Sequence, residues 1–473
     1  MIKFITRQLP LALLAAGLLS ACSMAPNYVR PDAPVAAGYP GQPATPASGA
    51  AAADIGWRTF FRDPQLQALI AAALDNNRDL RSAALHIEEA RAQYNIQSAD
   101  RLPTLNGNAS GSRSHTPADL SSSGSVSNSN RYDVGLSLAS FELDFFGRVR
   151  SLNDAALAQY LATEQARQSV QISLVAEVAK AALAERAFAE QLALAQNTLD
   201  GRDSAYRLAQ KRFEVGAAST LDLRQNETLL ESARVAVATL ARQRAQAGNA
   251  LTLLVGKPVD GLPVALNEQH IVSDIPAGLP SDLLAHRPDI RALEQKLLAA
   301  NANIGAARAA FFPRITLTAG IGSASSALSG LFKAGSGAWS FAPQLTLPIF
   351  DAGRNSSNLS LAQVRKELAI ADYEKAIQSA FREVADTLSA RAFLDTQVVA
   401  QAAVQQAEAE RLKLSVLRQE NGISSALDVL DAQRELFSAQ QSLVQAQLLQ
   451  LNNSIDLYRA LGGGWQESSS AAN

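Results

Sequence analysis

The chain has 473 residues and a formal net charge of -2, which allows two or more ordinary domains. A charge so close to zero excludes nucleic-acid binding that is driven by bulk electrostatics. Hydrophobic residues make up 47% of the chain but aromatic residues only 6%, so alanine supplies much of the apolar content and favours closely packed helices. The single cysteine excludes an intrachain disulfide.

The N-terminus has the pattern of a secretory signal. A short basic start precedes an apolar run, residues 9–21, that is too short to span a bilayer. The run ends in Leu19-Ser20-Ala21-Cys22, which resembles the lipobox of bacterial lipoproteins. The resemblance implies cleavage before Cys22, acylation of its sulfur and new α-amine, and sorting to the outer membrane, because Ser23 rather than Asp follows. The alternative is a buried cysteine in an ordinary signal sequence.

Most of the remaining chain is an internal duplication. FEVGAASTLD at 213–222 and QENGISSALD at 419–428 share five identities. At the same offset of 206, residues 147–256 align with 353–462 without a gap, including Gly-Arg at the start and Gly at the end of each copy. A repeat of this length indicates one structural plan that is used twice.

Each repeat is predicted to contain a helix, a strand, a loop, a strand, a long helix, a break and a return helix. The predicted bounds are, in the first repeat, about 79–101, 103–115, 131–143, 150–212 and 220–254, and, in the second, about 289–310, 313–324, 338–349, 355–418 and 426–460. The domain assignment is 1–21 signal peptide, 22–53 lipidated Pro/Ala/Gly-rich linker, 54–256 first repeat, 257–280 linker, 281–462 second repeat and 463–473 flexible tail.

The strands alternate apolar and polar residues, as in Ile315, Leu317 and Ile321 with Thr316 and Thr318 between them. Period-two alternation marks a strand with one apolar and one polar face. Four strands cannot close a useful barrel, and open strand edges are forbidden in lipid, so a membrane location would require several chains. Two chains would supply eight strands and three would supply twelve. The alternative is a soluble sheet packed on helices.

The long helices have apolar residues at steps of three and four, for example Leu361, Val364 and Leu368, which is typical of a coiled coil. Some 60 residues would form a helix of roughly 90 Å. In each break, a glycine allows the chain to turn back, a serine can cap the returning helix and an aspartate lies in its first turn. These residues are Gly216, Ser219 and Asp222 in the first repeat and Gly422, Ser425 and Asp428 in the second.

Six stretches in this order make the mature chain resemble the TolC-like outer-membrane efflux proteins, in their OprM/NodT-like lipoprotein subgroup. The stretches are Trp57-Arg58 with Asp63-Pro64, Asn76-Asn77-Arg78-Asp79-Leu80, residues 141–148 (FELDFFGR), 283–290 (LLAHRPDI), 348–354 (PIFDAGR) and 427–433 (LDVLDAQ). His286 departs from the arginine that is usual in the family.

The resemblance implies a homotrimer with a twelve-stranded β-barrel in the outer membrane, four strands per chain, continuous with a long periplasmic α-helical coiled-coil barrel. It implies an exit duct of a tripartite RND-type efflux pump, which receives drugs or other toxic small molecules from an inner-membrane pump and a periplasmic adaptor. The alternative function is the duct of a type I protein secretion system.

The resemblance also implies roles for particular residues. The turns would be periplasmic tips that contact the adaptor, through Gly216, Ser219, Leu221, Asp222, Gly422, Ser425 and Asp428. Leu427 and Asp431 would form rings of three leucines and three carboxylates at the closed end of the tunnel, and Asp431 differs from its counterpart Gln225. The scattered histidines and the lack of catalytic or metal motifs argue against an enzyme. No cofactor is expected beyond the lipid on Cys22.

Overall fold

The computed structural model describes residues 24–40, 51–122, 124–259, 266, 271–272, 275, 278 and 280–468. The α-helices are α1 Trp57–Phe60, α2 Pro64–Asn76, α3 Arg78–Ala99, α4 Arg148–Glu214, α5 Thr220–Val255, α6 Asp282–His286, α7 Pro288–Ala309, α8 Arg354–Glu420 and α9 Ala426–Ala460. The strands are β1 Leu105–Thr116, β2 Ser127–Leu143, β3 Arg314–Ser325 and β4 Gly337–Thr346.

The two long helices, α4 and α8, have 67 residues each. Both extend about two residues beyond each predicted end, within the usual uncertainty of helix termini. The strands differ more: β2 begins at Ser127 rather than 131, and β4 ends at Thr346 rather than 349. Pro348 follows the end of β4 and has no backbone N–H to offer to a neighbouring strand. Helix α2 was not predicted; it begins at Pro64, after Asp63, whose side chain accepts a hydrogen bond from Gln65 N.

The chain forms two compact units. One comprises the described parts of Met1–Asp32, His86–Thr163 and Ala292–Tyr373, and the other those of Ala33–Leu85, Glu164–Arg291 and Glu374–Asn473. The first contains all four strands and the second contains both helical turns.

The strands form one antiparallel sheet in the order β1-β2-β3-β4. Directly opposite residues lie on the same face of an antiparallel sheet. The pairs Leu138↔Ala319 and Ala319↔Phe341 therefore place apolar residues in one row across three strands. Ser137↔Gly320 and Gly320↔Ser340 place small polar residues on the other face.

A β-bulge in β2 preserves these two faces. Leu138 pairs with Ala319 and Phe141 pairs with Leu317, so β2 contains one residue more than β3 between the two pairs. Ser140 takes up the extra residue at a φ of 48°, and its N–H donates to Thr318 Oγ1 at 3.3 Å. Leu138 and Phe141, three residues apart, consequently lie on the same face.

The two repeats make an equivalent contact in the second unit with different residues. Asn77 Nδ2 donates to the carbonyl of Leu254 at 2.9 Å. Upstream of the long helices the repeats align at an offset of 210 instead of 206, which makes Arg287 the counterpart of Asn77. Arg287 donates from Nη1 to the carbonyl of Ala460, the counterpart of Leu254, at 3.0 Å. The duplicated plan therefore extends to how the opening helix is fixed to the end of the return helix.

Arg287 is also held by two carboxylates. Its guanidinium donates to both carboxylate oxygens of Asp289, at 3.0 and 2.6 Å, and to Glu383 Oε2 at 2.9 Å. Burial alone would raise the pKa of Asp289, but the hydrogen bonds and charge of Arg287 outweigh burial and hold that pKa below its ordinary value. The buried guanidinium of Arg287 thus donates hydrogen bonds to three different residues.

Two segments that were predicted as linker and tail make specific contacts. In the first unit, Arg30 donates to both oxygens of Glu294 at 2.7 Å, and the carbonyl of Pro26 accepts from Asn301 at 2.7 Å. In the second unit, the backbone of Trp57 donates to Gln466 O at 2.9 Å. Residues 24–30 and 465–467 are therefore packed on helices, because ion pairs and main-chain hydrogen bonds hold them there. Most of the predicted linker at 257–280 lies outside the described residues.

Candidate functional site

The two breaks between the long and return helices are turns of the same construction. Gly216 and Gly422 have φ angles of 74° and 72°, the left-handed region in which glycine avoids steric strain. The following residues donate back to the long helix, Ala217 N to Arg212 O at 2.7 Å and Ile423 N to Arg418 O at 2.8 Å. This hydrogen bond, from the residue after the turn glycine to a carbonyl five residues earlier, belongs to the Schellman arrangement.

Both return helices begin with a capping box. Ser219 Oγ accepts from Asp222 N at 3.1 Å, while the Asp222 carboxylate accepts from Ser219 N at 3.0 Å. Ser425 and Asp428 make the same reciprocal pair. The hydrogen bonds from the Ser219 side chain and backbone hold the pKa of Asp222 below its ordinary value. The predicted glycine, serine and aspartate residues are therefore brought together at each turn.

Apolar side chains are exposed at these turns. Val215, Leu221, Ile423 and Leu427 each expose more than half of their surface in the protomer. A cavity of about 500 Å³ lies between the two helical hairpins and is lined from both, by residues that include Leu208 and Asp222 of the first and Val429 and Leu430 of the second. Exposed apolar groups around a cleft are typical of an interaction surface.

Asp431 is paired within the protomer. Its carboxylate accepts from Arg411 Nη2, across the hairpin, at 2.8 Å, and from Arg434 one helical turn further along α9. Arg411 also donates to Glu408 Oε2 at 3.1 Å. Leu427, the other predicted gate residue, lies one turn before Asp431 and is exposed.

This charged cluster is confined to the second hairpin. The counterparts of Asp431, Arg411 and Arg434 in the first repeat are Gln225, Ala205 and Thr228. The mismatch at Asp431 was predicted from the sequence, but the two arginines were not. Arg434 was detectable because residues three apart share a helix face. Arg411 was detectable because the chain turns back at Gly422. Arg411 lies 11 residues before that glycine and Asp431 lies 9 residues after it, so the two residues are at similar heights on the paired helices.

The sheet presents the second candidate functional surface. Large apolar residues on its apolar face are exposed in the protomer, among them Ile321, Trp339 and Phe341, of which Trp339 exposes 80% of its surface. The outer edges of β1 and β4 have no strand partner among the described residues. A water-soluble sheet with such a face and two free edges would be prone to association.

The described residues contain no group of three or more His, Cys, Asp or Glu side chains that could hold a metal ion. Within the same part of the chain, no helix is both long enough and apolar enough to cross a membrane. Cys22, the predicted lipidation site, lies outside the described residues.

Comparison with known proteins identifies the family. The outer membrane efflux protein family matches residues 69–257 and 279–463, two segments that coincide with the two repeats. The toluene efflux pump outer membrane protein TtgC of Pseudomonas putida is 47% identical over 99% of this chain and 98% of its own length. The outer membrane protein OprJ of Pseudomonas aeruginosa is 48% identical over 97% of this chain and 96% of its own.

Solved structures share the fold. The outer membrane channel MtrE of Neisseria gonorrhoeae, crystallised in its open state, matches with a TM-score of 0.87 and 44% identity over 95% of this chain and all of its own. CusC matches with a TM-score of 0.83 and 43% identity over 94% of this chain and all of its own. The predicted fold class, family and outer-membrane location are thereby confirmed. The chain belongs to the outer membrane efflux protein family.

Proposed function

We propose that three copies of this chain form the outer-membrane exit duct of a tripartite RND-type efflux pump. The observation that carries the proposal is the four-stranded sheet, which has an exposed apolar face, a polar face and two edges that no described strand pairs. Backbone groups on a sheet edge must be paired within a bilayer. Three copies joined edge to edge give twelve strands, enough for a wet lumen, whereas eight strands leave an interior filled by side chains.

The polar face supplies the lining of such a lumen. It includes the small uncharged residues Asn106, Ser137, Gly320 and Ser340, and the ion-paired Arg131 and Asp133 lie on the same face. Small polar groups allow a solute to pass without binding it tightly, and tight binding would oppose conduction. We therefore assign the chain a passive role, without enzymatic activity and without a cofactor.

The cargo is proposed to be toxic small molecules. The relatives are described as efflux pump outer membrane proteins for toluene in TtgC and for antibiotics in ArpC, both of Pseudomonas putida. The energy source and the first selection of substrate would reside in an inner-membrane pump. The exposed apolar residues at the two turns, with the cavity between the hairpins, are proposed to receive a periplasmic adaptor protein.

The chain is also proposed to be lipid-anchored at Cys22. The support is the lipobox-like sequence and the contacts of residues 24–30, which attach the segment next to the cysteine to α7. Two or more acyl chains hold a protein on a membrane stably. Metabolic labelling with a radioactive fatty acid tests the anchor: the Cys22→Ser variant should lose the label, and retained label would contradict the assignment.

Deletion of the encoding gene in its native bacterium tests the function. We expect increased susceptibility to several chemically unrelated toxic compounds and intracellular accumulation of a fluorescent dye, both reversed by the wild-type gene. Unchanged susceptibility together with loss of one exported protein would contradict the proposal and favour a secretion duct.

A further inference from the structure

Arg202 of α4 is a buried cation for which the described part of the chain offers no carboxylate partner. Only 6% of the residue is exposed. Its Nη1 donates to the carbonyl of Leu229 at 3.0 Å, and its guanidinium carbon lies 5.8 Å from the centre of the Phe437 ring. Its Nε has no hydrogen-bond partner among the described residues. The arginine is therefore only partly satisfied by the protein.

A second cation, Arg434, acts on the charge of Arg202. Burial and then the charge of Arg434 lower the pKa of Arg202. A buried charge without a compensating charge is unfavourable, so such groups are normally paired in folded proteins. Cation–π contact with Phe437 compensates for part of the lost hydration. The contact with Phe437 provides no hydrogen-bond acceptor for the Nε edge of the guanidinium.

Arg202 lines a cavity of about 290 Å³ between α4, α8 and α9. Three side-chain amides also line it, those of Asn197, Gln433 and Gln440, and none of the described lining residues is Asp or Glu. An amide NH₂ and a guanidinium are hydrogen-bond donors, and the edge of a guanidinium matches two oxygens of a carboxylate or phosphate. The cavity thus combines an unsatisfied cation with neutral donors.

The duplication shows that the helical plan does not require this arginine. The counterpart of Arg202 in the second repeat, at the offset of 206, is Glu408. Glu408 accepts a hydrogen bond from Arg411 at 3.1 Å, so the acid at that position has a partner within the chain. The cation without a carboxylate is specific to the first repeat.

We propose that this cavity is a binding site for a small oxyanion, with the Nε edge of Arg202 holding two of its oxygens and the neighbouring amides completing the shell. The site lies inside one protomer and is independent of the proposed transport cargo. A free phosphate and a small organic carboxylate present the same two-oxygen edge, and the experiment distinguishes the two sources.

Crystals of the full-length protein soaked in sodium selenate test the site directly, because selenium scatters anomalously. We expect an anomalous selenium peak roughly 3 to 4 Å from the guanidinium nitrogens of Arg202. The peak should be lost in the Arg202→Gln variant and retained in Arg207→Gln, a matched control on the same helix whose arginine is exposed and paired with Asp203. A missing peak in the wild type, or an equal peak in Arg202→Gln, would overturn the proposal.

Thermal unfolding at constant ionic strength identifies the source of the oxyanion. Phosphate or acetate replaces chloride stepwise, and a bound ligand should raise the wild-type midpoint by about 2 °C at saturation. A rise with phosphate alone indicates an inorganic ligand, and a rise with acetate alone indicates a carboxylate. The Arg202→Lys variant keeps the charge but loses the two-pronged edge, so it should lose the shift; no shift in the wild type, or a full shift in Arg202→Lys, would contradict the site.

Discussion

At the scale of single residues, the turn glycines are required by backbone conformation rather than by lack of space. No atom lies within 4 Å of a Cβ placed on Gly216 or Gly422, yet both have a φ near +70°. A side chain there would therefore strain the backbone without striking a neighbour. Glycine is therefore required at these turns by the backbone conformation and not by close packing.

Replacing Gly422 by alanine should lower the free energy of local opening at the second turn by about 1 kcal/mol, the usual cost of a left-handed non-glycine residue. Hydrogen exchange of the amides around the turn measures this change. Gly248→Ala is the control, since Gly248 lies inside α5 with ordinary helical φ and open space. That substitution should slow exchange in α5, and faster exchange there would contradict the backbone argument.

The capping box makes the first turn of α5 sensitive to acid. The folded-state pKa of Asp222 is lowered, so its contribution to stability is present above the unfolded-state pKa of about 4 and is lost as the pH falls through the folded value. We expect the first-turn amides of α5 to lose protection below about pH 4 in the wild type. Relative to the wild type, Asp222→Asn should show pH-independent opening; an identical pH profile in both proteins would contradict the cap.

Asp431 should act on conduction through its ion pair with Arg411, which joins α8 to α9 across the hairpin. Both side chains are partly exposed, so solvent screens the pair and it contributes little to stability. Asp431→Asn should then raise the open probability of single channels about two- to fivefold per chain, measured in planar bilayers. Gln225→Ala, at the equivalent position of the first repeat, should leave it unchanged, and equal effects of the two substitutions would rule out a specific gate.

At the scale of elements, the bulge in β2 determines whether the sheet keeps its two faces. Deleting Ser140 removes the extra residue and leaves Leu138 and Phe141 on the same face, so the variant should fold and assemble. Deleting Thr318 from β3 instead moves Leu317 to the opposite face from Ala319. Only the second deletion should abolish assembly, as measured by gel electrophoresis under mild detergent conditions; assembly of both variants would contradict the register.

Much of the element order was predictable because it depends on local signals. The glycine breaks, the proline-free helical runs and the alternation in β3 place the six longest described helices and most strands within a few residues. The bulge at Ser140 was not predictable, because it arises from pairing between strands that are distant in sequence. The packing of residues 24–30 was missed for a similar reason: Arg30 and Glu294 are 264 residues apart.

The candidate site was predictable in part. The duplication identified Gly216 and Gly422 with their capping residues, since each repeat serves as a check on the other. Departures from the duplication were harder to interpret. Asp431 stood out as a mismatch, but its pairing with Arg411 required the hairpin geometry, and the isolation of Arg202 required knowledge of which carboxylates lie near it.

At the scale of the whole molecule, each repeat contributes two strands to the sheet and one helical turn. A single protomer leaves the apolar face and both edges of the sheet uncovered. Association of protomers edge to edge pairs those edges, and a bilayer covers the apolar face. The sheet therefore accounts for the outer-membrane location and for the need for more than one chain.

The most direct test of this account is to count the chains in the purified, detergent-solubilised protein by native mass spectrometry and to record the conductance of the same preparation in planar bilayers. We predict a complex of three chains that forms discrete, water-filled channels. A stable monomer or dimer, or a trimer in which neither the wild type nor the Asp431→Asn variant conducts, would contradict the shared barrel.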